Sequence, residues 1–443
     1  MEIITVEPGA KRLIEGYKGL EYNFETAVAD LVDNSISAHS KNIQIELRLK
    51  SGGNPALVAI SDDGRGMDKK ILIEAMRYGS KKDYSSKDLG KFGLGLKTAS
   101  LSQTDLLTVL TKKTNSPATQ IAQWDIGYVT EKNEWGLKLL GRSDLEEWTK
   151  ELQAIYLKKR GTLVIWKNPE IFRHLKKDSD LDEIHERLEK HLSMVFCVFL
   201  KQKRNIYING IKVGPWDPFC LKEKTYKLKD KHFKFKNGKN KKQKIIVTPY
   251  ILPTEKEFSS REAWDEASGP KKWNRQQGLY FFRNKRLLQA GGWSNVRGNL
   301  EEHQKLLRIK INFPNDLDEQ FGLNITKMRA VIPAEIKDEF EKYLAKWRKE
   351  AEKRYRRKHG KITEKETLKI IKFKKAKTFS IQAIKGKVVV GNPTFRLPKK
   401  IKKFLNKGKI HQMGAILYLL LENINKARDG ITNPKEIQNR LFK

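Results

Sequence analysis

The sequence predicts an α/β protein with several domains, and three observations carry that prediction. A helical segment is followed by two strands and a glycine turn within the first 67 residues, and strand-like patterns recur to residue 168. At 443 residues with 38% hydrophobic side chains, the chain also exceeds one ordinary core.

The elements follow in order. Residues 21–39 read as a helix, with Asn23 as N-cap and Phe24, Val28, Leu31 and Val32 at helical spacing. NIQIELRLK at 42–50 alternates as a half-buried strand does, and LVAISDD at 57–63 runs into a glycine turn. Residues 71–78 read as a helix and 79–90 as a Gly/Ser/Lys/Asp loop, with a further helix starting near Gly93. LLTVL (106–110), TQIAQWDI (119–126) and GTLVIWKN (161–168) are strand candidates. A charged helical stretch at 180–200 leads into the strand-rich NIYINGIKVGPWDPF at 205–219, which puts a boundary near residue 190 and gives domains 1–189 and 190–333. Residues 334–358 form one long charged helix, and 359–443 form a basic region with helix-like stretches around 410–427 and 433–442.

Charge narrows the function class. The chain has 90 Lys and Arg against 53 Asp and Glu, a formal +37, and self-repulsion on that scale calls for a polyanionic partner, nucleic acid first. Composition does not separate DNA from RNA. Two cysteines, Cys197 and Cys220, exclude a disulfide framework or a four-thiolate zinc site, which fits a reducing cytoplasm. The first residues lack a signal pattern, and the longest apolar stretch, around Met413–Leu421, is too short to cross a bilayer.

Three short motifs carry the chemistry. In ADLVDNSISA, Asp30 and Asn34 lie four residues apart on one helix face, so a carboxylate and an amide oxygen can position a water and a hard cation. Alone, the pair is equally a solvated polar stripe. In Asp62-Asp63-Gly64-Arg65-Gly66-Met67, a carboxylate at a strand end can accept from an exocyclic amine, while the glycines let the backbone approach a base; alone, it is equally an acidic turn. Gly90-Lys91-Phe92-Gly93-Leu94-Gly95-Leu96-Lys97 is a glycine loop entering a helix, where free N–H groups favour phosphate, with the Lys97 charge nearby. It lacks the Gly-Lys-Ser/Thr ending of a Walker A loop. His174, His185 and His191 lie among charged helical residues and read as solvated surface.

Together, over about the first 170 residues, these motifs resemble the N, G1 and G2 boxes of the GHKL ATPases, the superfamily of gyrase, heat-shock chaperones, histidine kinases and MutL. The resemblance implies a Bergerat-type α/β sandwich that binds ATP with Mg²⁺. It makes Asp62 the adenine-binding acid, with Gly64, Gly66 and Met67 lining the pocket and Thr162 a further contact. Asn34 becomes the Mg²⁺ ligand, Gly90, Gly93 and Gly95 the phosphate loop, and residues 69–90 the lid. Family members that hydrolyse ATP usually carry Glu where this chain has Asp30, one methylene shorter, as general base. Glu25, about 140° away round the helix, is the poorer candidate.

Residues 190–333 resemble the α+β transducer domain of MutL, gyrase B and MORC proteins, and FGLNITKMRAVIP implies that Lys327 reaches the γ-phosphate. The combination looks closest to bacterial MORC-like ATPases. It implies an ATP-dependent homodimer that clamps duplex DNA without sequence preference, with residues 1–20 as an exchange arm and defence-system proteins as partners. The alternatives are a chaperone-like ATPase and a nucleotide-switch pseudo-ATPase acting on a protein or RNA.

Overall fold

The computed structural model describes residues 3–4, 9–18, 22–78, 95–116, 118–173, 175, 178–236, 242–323 and 330–358, with the hairpin strands 380–384 and 387–391. The chain divides into two compact units, Met1–Tyr355 and Arg356–Lys443.

The first unit begins with α1 (Ala10–Lys18) and α2 (Phe24–Ser37). Sequence reading left residues 10–18 without a helix; Ala10 and Ile14 bury its apolar side, and Lys18 pairs with Asp105. For α2, the Asn23 side chain accepts from the Thr26 amide at 2.8 Å, satisfying one of the orphan donors of the first turn. The strands β1 (Asn42–Arg48) and β2 (Leu57–Asp62) follow, then α3 (Lys69–Met76), α4 (Gly95–Leu101), β3 (Leu106–Lys112), β4 (Gln120–Asp125), α5 (Ile126–Lys132) and β5 (Lys138–Leu140). After α6 (Glu147–Tyr156) come β6 (Gly161–Lys167), α7 (Asp178–Val195), α8 (Cys197–Lys201), β7 (Asn205–Ile208) and β8 (Ile211–Lys212).

The strands make one eight-stranded mixed sheet in the order β5-β4-β3-β6-β2-β1-β7-β8. Its central strands are buried on both faces, and the period-2 alternation divides their side chains between two cores. Val58, Ile60, Val164 and Trp166 face the helices α2, α4 and α7, while Leu57, Ala59, Leu163 and Ile165 face α6. The result is an α/β sandwich. Strand β7 lies beyond residue 190, yet it runs parallel to β1 and completes this sheet, because Ile206 and Ile208 bury against the same helical core.

The chain then builds a second sheet. It contains β9 (Tyr226–Lys227), β10 (Lys231–Lys236), β11 (Lys242–Ile251), β12 (Gly278–Arg283), β13 (Arg286–Ala290) and β14 (Leu307–Phe313), with α9 (Arg261–Ala267) and α10 (Lys272–Gln276) between β11 and β12. The order is β10-β11-β14-β12-β13, and β9 pairs with β11. Against one face lies α11 (Ala334–Lys358), the long charged helix expected at 334–358. Its buried Ile336, Phe340, Leu344, Trp347, Ala351 and Tyr355 recur every three or four residues, and burying Phe340 alone contributes about 2–3 kcal/mol. In the second unit, β15 (Ser380–Ile384) and β16 (Lys387–Gly391) form an antiparallel hairpin. The helix-like stretches expected at 410–427 and 433–442 lie outside the described residues. Among the described residues no helix is long and apolar enough to cross a membrane.

Candidate functional site

Asp62 ends β2, a fully buried strand, and its own side chain is 9% exposed. One carboxylate oxygen accepts from the Gly64 amide at 2.8 Å and the other from the Ser35 hydroxyl at 3.0 Å. Burial nevertheless pushes its pKa up to about 6, outweighing those hydrogen bonds. The neighbouring Asp63 has a different task. It accepts from the Ser40 hydroxyl, the Lys41 and Asn42 amides and the Asn42 side chain, at 2.7–3.0 Å, and so fixes the turn. These bonds hold its carboxyl below the usual range despite partial burial.

The glycines around Asp62 are steric requirements. A Cβ on Gly64 would lie 2.7 Å from the Asp62 carboxylate, and one on Gly66, whose φ is +65°, would lie 2.0 Å from the Lys112 carbonyl oxygen. On Gly161, at φ +128°, a Cβ would approach the Asp62 carbonyl oxygen to 1.8 Å. Gly161→Ala is therefore expected to destabilise the protein by about 2–4 kcal/mol, read from denaturant unfolding; an unchanged midpoint would mean that β2 and β6 are not held this close.

Thr162, at half-buried depth on β6, pairs in register with Asp62 on one side and Thr111 on the other. Thr111 is a contributor that sequence reading missed. Its hydroxyl donates to the Gly161 carbonyl at 3.0 Å, accepts from the Met67 amide at 2.9 Å and lies 3.2 Å from the Thr162 hydroxyl. One side chain thus joins the glycine turn to the central strand. Ser35 was also missed as the partner of Asp62, although it stands inside the first motif and one turn after Leu31, whose carbonyl it also reaches.

On α2, Asn34 is exposed while Asp30 is buried. The Asp30 carboxylate accepts from the Tyr22 hydroxyl at 3.1 Å and from Arg286 at 3.3 Å, and a Cβ on Gly95 would lie 3.8 Å from the Tyr22-bonded oxygen. Burial and the Asp30 charge hold the Tyr22 phenol well above its ordinary pKa, so it remains a donor. Glu25 faces elsewhere, accepting from Arg187 of α7 at 2.9 Å. Lys97 differs from expectation as well. Its ammonium donates to the Ala75 carbonyl of α3 at 3.0 Å, and burial brings its pKa down to about 8. Gly90, Gly93 and Lys327 lie outside the described residues, as does His174.

His191, expected on solvated surface, is instead packed near Arg286 and Lys271; burial and those two cations lower its pKa to about 4, leaving it neutral. His185 contacts the Ile208 carbonyl at 3.3 Å. Among the described residues, no group of three or more His, Cys, Asp and Glu side chains is arranged to hold a metal ion.

Residues 22–162 match the family model described as histidine kinase-, DNA gyrase B-, and HSP90-like ATPase. No curated protein matches the chain. Among solved structures, the N-terminal domain of a DNA repair protein aligns with 16% identity and a TM-score of 0.43, covering 77% of this chain and 98% of that one.

Proposed function

We propose, from the GHKL-type ATPase domain matched at residues 22–162, that this chain binds and hydrolyses ATP and works as a MORC-like clamp on duplex DNA. The carrying observation is Asp62: a buried carboxylate at a strand end, walled by glycines whose side chains could only be hydrogen. Such a site suits a flat base with an exocyclic amine, because a carboxylate offers about four lone-pair sites and the Gly64 and Thr162 amides and the Ser35 hydroxyl do not use them all. Met67 and Thr162 border the same turn.

The residues present also fit Mg²⁺ in the manner that cation prefers, with one exposed protein oxygen, that of Asn34, and water and phosphate completing the shell. When bound, Mg²⁺ neutralises phosphate charge. Asp30 then takes the proton of the attacking water at the carboxylate oxygen that faces Gly95. Gly90, Gly93 and Gly95 supply backbone amides to the phosphates, and Lys327 senses the terminal phosphate from the second domain. ATP thereby favours one arrangement of the domains 1–189 and 190–333, and two such chains close as a homodimer. A place in cytoplasmic antiviral defence, with further proteins of that system, follows from the same reading.

Charge supports the nucleic-acid partner. On the β10–β11 hairpin Lys234 stands directly opposite Lys244, both exposed and neither ion-paired among the described residues, an arrangement that repels unless an anion lies across it. The region 359–443 adds roughly +16 of formal charge, mostly lysine, which neutralises phosphates as a point charge and reads bases poorly. If about six phosphates are neutralised, DNA affinity falls by roughly three orders of magnitude between about 50 and 200 mM salt. Titrating DNA into full-length protein and a chain lacking 359–443, at two salt concentrations, with ATPase rate and oligomeric state followed in parallel, tests the reading. Most affinity is expected to vanish with the truncation while ATP binding persists; equal affinity in both would move the DNA surface to the β10–β11 face, and no DNA binding by either would sink the clamp.

A further inference from the structure

We infer that Arg286 is a positioning residue for Asp30, so that turnover depends on the second sheet being docked on α2. The inference rests on the proposed role of Asp30 as general base.

Asp30 and Asp33 lie three residues apart on α2, both buried, and one guanidinium serves the two. Arg286 Nη2 lies 3.3 Å from Asp30 Oδ1, and Nε lies 2.8 Å from Asp33 Oδ2. The arginine comes from β13, 256 residues along the chain from Asp30, and its guanidinium carbon sits 5.9 Å from the Phe196 ring centroid, between α7 and α8. The opposite oxygen of Asp30 takes the Tyr22 hydroxyl and faces Gly95, at the end of the glycine motif. Both oxygens are therefore oriented, one by each sheet's half of the unit.

The same hairpin holds a control for what a purely structural pair looks like. Arg283, the residue in register with Arg286, gives both arms to Asp318, with Nε and Nη2 each 2.7 Å from a carboxylate oxygen, inside the second sheet's own layer. Arg286 instead meets two acids of another layer, hydrogen-bonding Asp30 through Nη2 and ion-pairing with Asp33 through Nε without hydrogen-bond alignment. Among the described residues, groups near this cluster include His191 of α7, kept neutral by burial, and Lys271, whose ammonium donates to the Ala290 carbonyl at 3.1 Å. Arg286 is thus a cation that contacts Asp30 directly. Displacing the β12–β13 hairpin would release the carboxylate, and a base misplaced by about 1 Å costs on the order of a hundredfold in rate.

The test uses the full-length chain. In Arg286→Gln, ATP affinity is expected to stay within about twofold while kcat falls roughly a hundredfold, and Arg286→Lys should recover part of the loss. Combining Arg286→Gln with Asp30→Asn should lower turnover no further than Asp30→Asn alone, because the arginine acts through that carboxylate. Three results would overturn the inference: wild-type or faster turnover in Arg286→Gln, binding and turnover lost together in both Arg286 variants, or a full additional loss in the Asp30→Asn background. A wild-type chain that binds ATP without Asp30-dependent turnover would overturn both this inference and the proposed hydrolysis. Turnover lost in Asp30→Asn yet kept in Arg286→Gln overturns this inference alone.

Discussion

Asp62→Asn is expected to abolish ATP binding without lowering the stability of the free protein near neutral pH. The two effects have one cause. In the folded chain burial raises the Asp62 pKa to about 6 from an ordinary 3.8, so the native state holds that proton more tightly than the unfolded chain does. Stability therefore falls as pH rises between those two values, and above them the buried charge costs about 3 kcal/mol. Asn removes the cost. Its oxygen can still accept from the Gly64 amide, and its amide can donate to Ser35, whose hydroxyl already reaches the Leu31 carbonyl at 3.2 Å. Nucleotide loses its acceptor, however, and a buried amine left unpaired costs roughly 1–3 kcal/mol or more. In the wild type, ATP affinity should also weaken about tenfold per pH unit below about 6, as the carboxylate protonates. Calorimetric titration and thermal unfolding at two pH values decide the matter, and unchanged ATP affinity in the variant would reject Asp62 as the base-recognising group.

The second large effect is expected in Asp30→Asn, with ATP binding retained and turnover reduced by roughly two to four orders of magnitude, the usual worth of general-base catalysis. The fold should tolerate the change, since Arg286 keeps Asp33 at 2.8 Å and the Tyr22 hydroxyl can still donate to the amide oxygen. Phosphate release and nucleotide binding measured on the same preparation separate the outcomes. Hydrolysis at the wild-type rate would take the base role from Asp30, and Glu25 would be a poor heir because its carboxylate is engaged by Arg187.

What the sequence made legible was local. The Asn23 cap, the alternation of β1 and the apolar run that opens β2 are written in consecutive residues, and the structure has each of them where the pattern puts it. The Asp62 turn was readable for the same reason, since its acid and glycines lie within five positions. Contacts across long separations were not. Thr111 is one β-branched residue in a strand of others, and nothing around it announces that it will meet both Met67 and Gly161. Arg286 sits in a basic segment where one more arginine carries no signal, and only the folding of β13 against α2 gives it meaning. Strand β7 lies past the boundary expected near residue 190, where turn residues and hydrophobic pattern change, yet its pairing is decided by the free edge of β1. His191 was misread through its charged neighbours, although the helical face that carries it points inward.

The turn between β12 and β13 consists of Asn284 and Lys285, both with positive φ, which matches the twist of the strands and leaves no spare residue. Side chains on a strand alternate faces, so adding or deleting one residue there would carry Arg286 to the far side of β13 and present Leu287 to α2 instead. Surface loops in general tolerate insertions and deletions. This one is constrained like the spacing of a code, with the reading frame of a hairpin deciding whether a cation or an alkyl group meets the two acids of another sheet's helix.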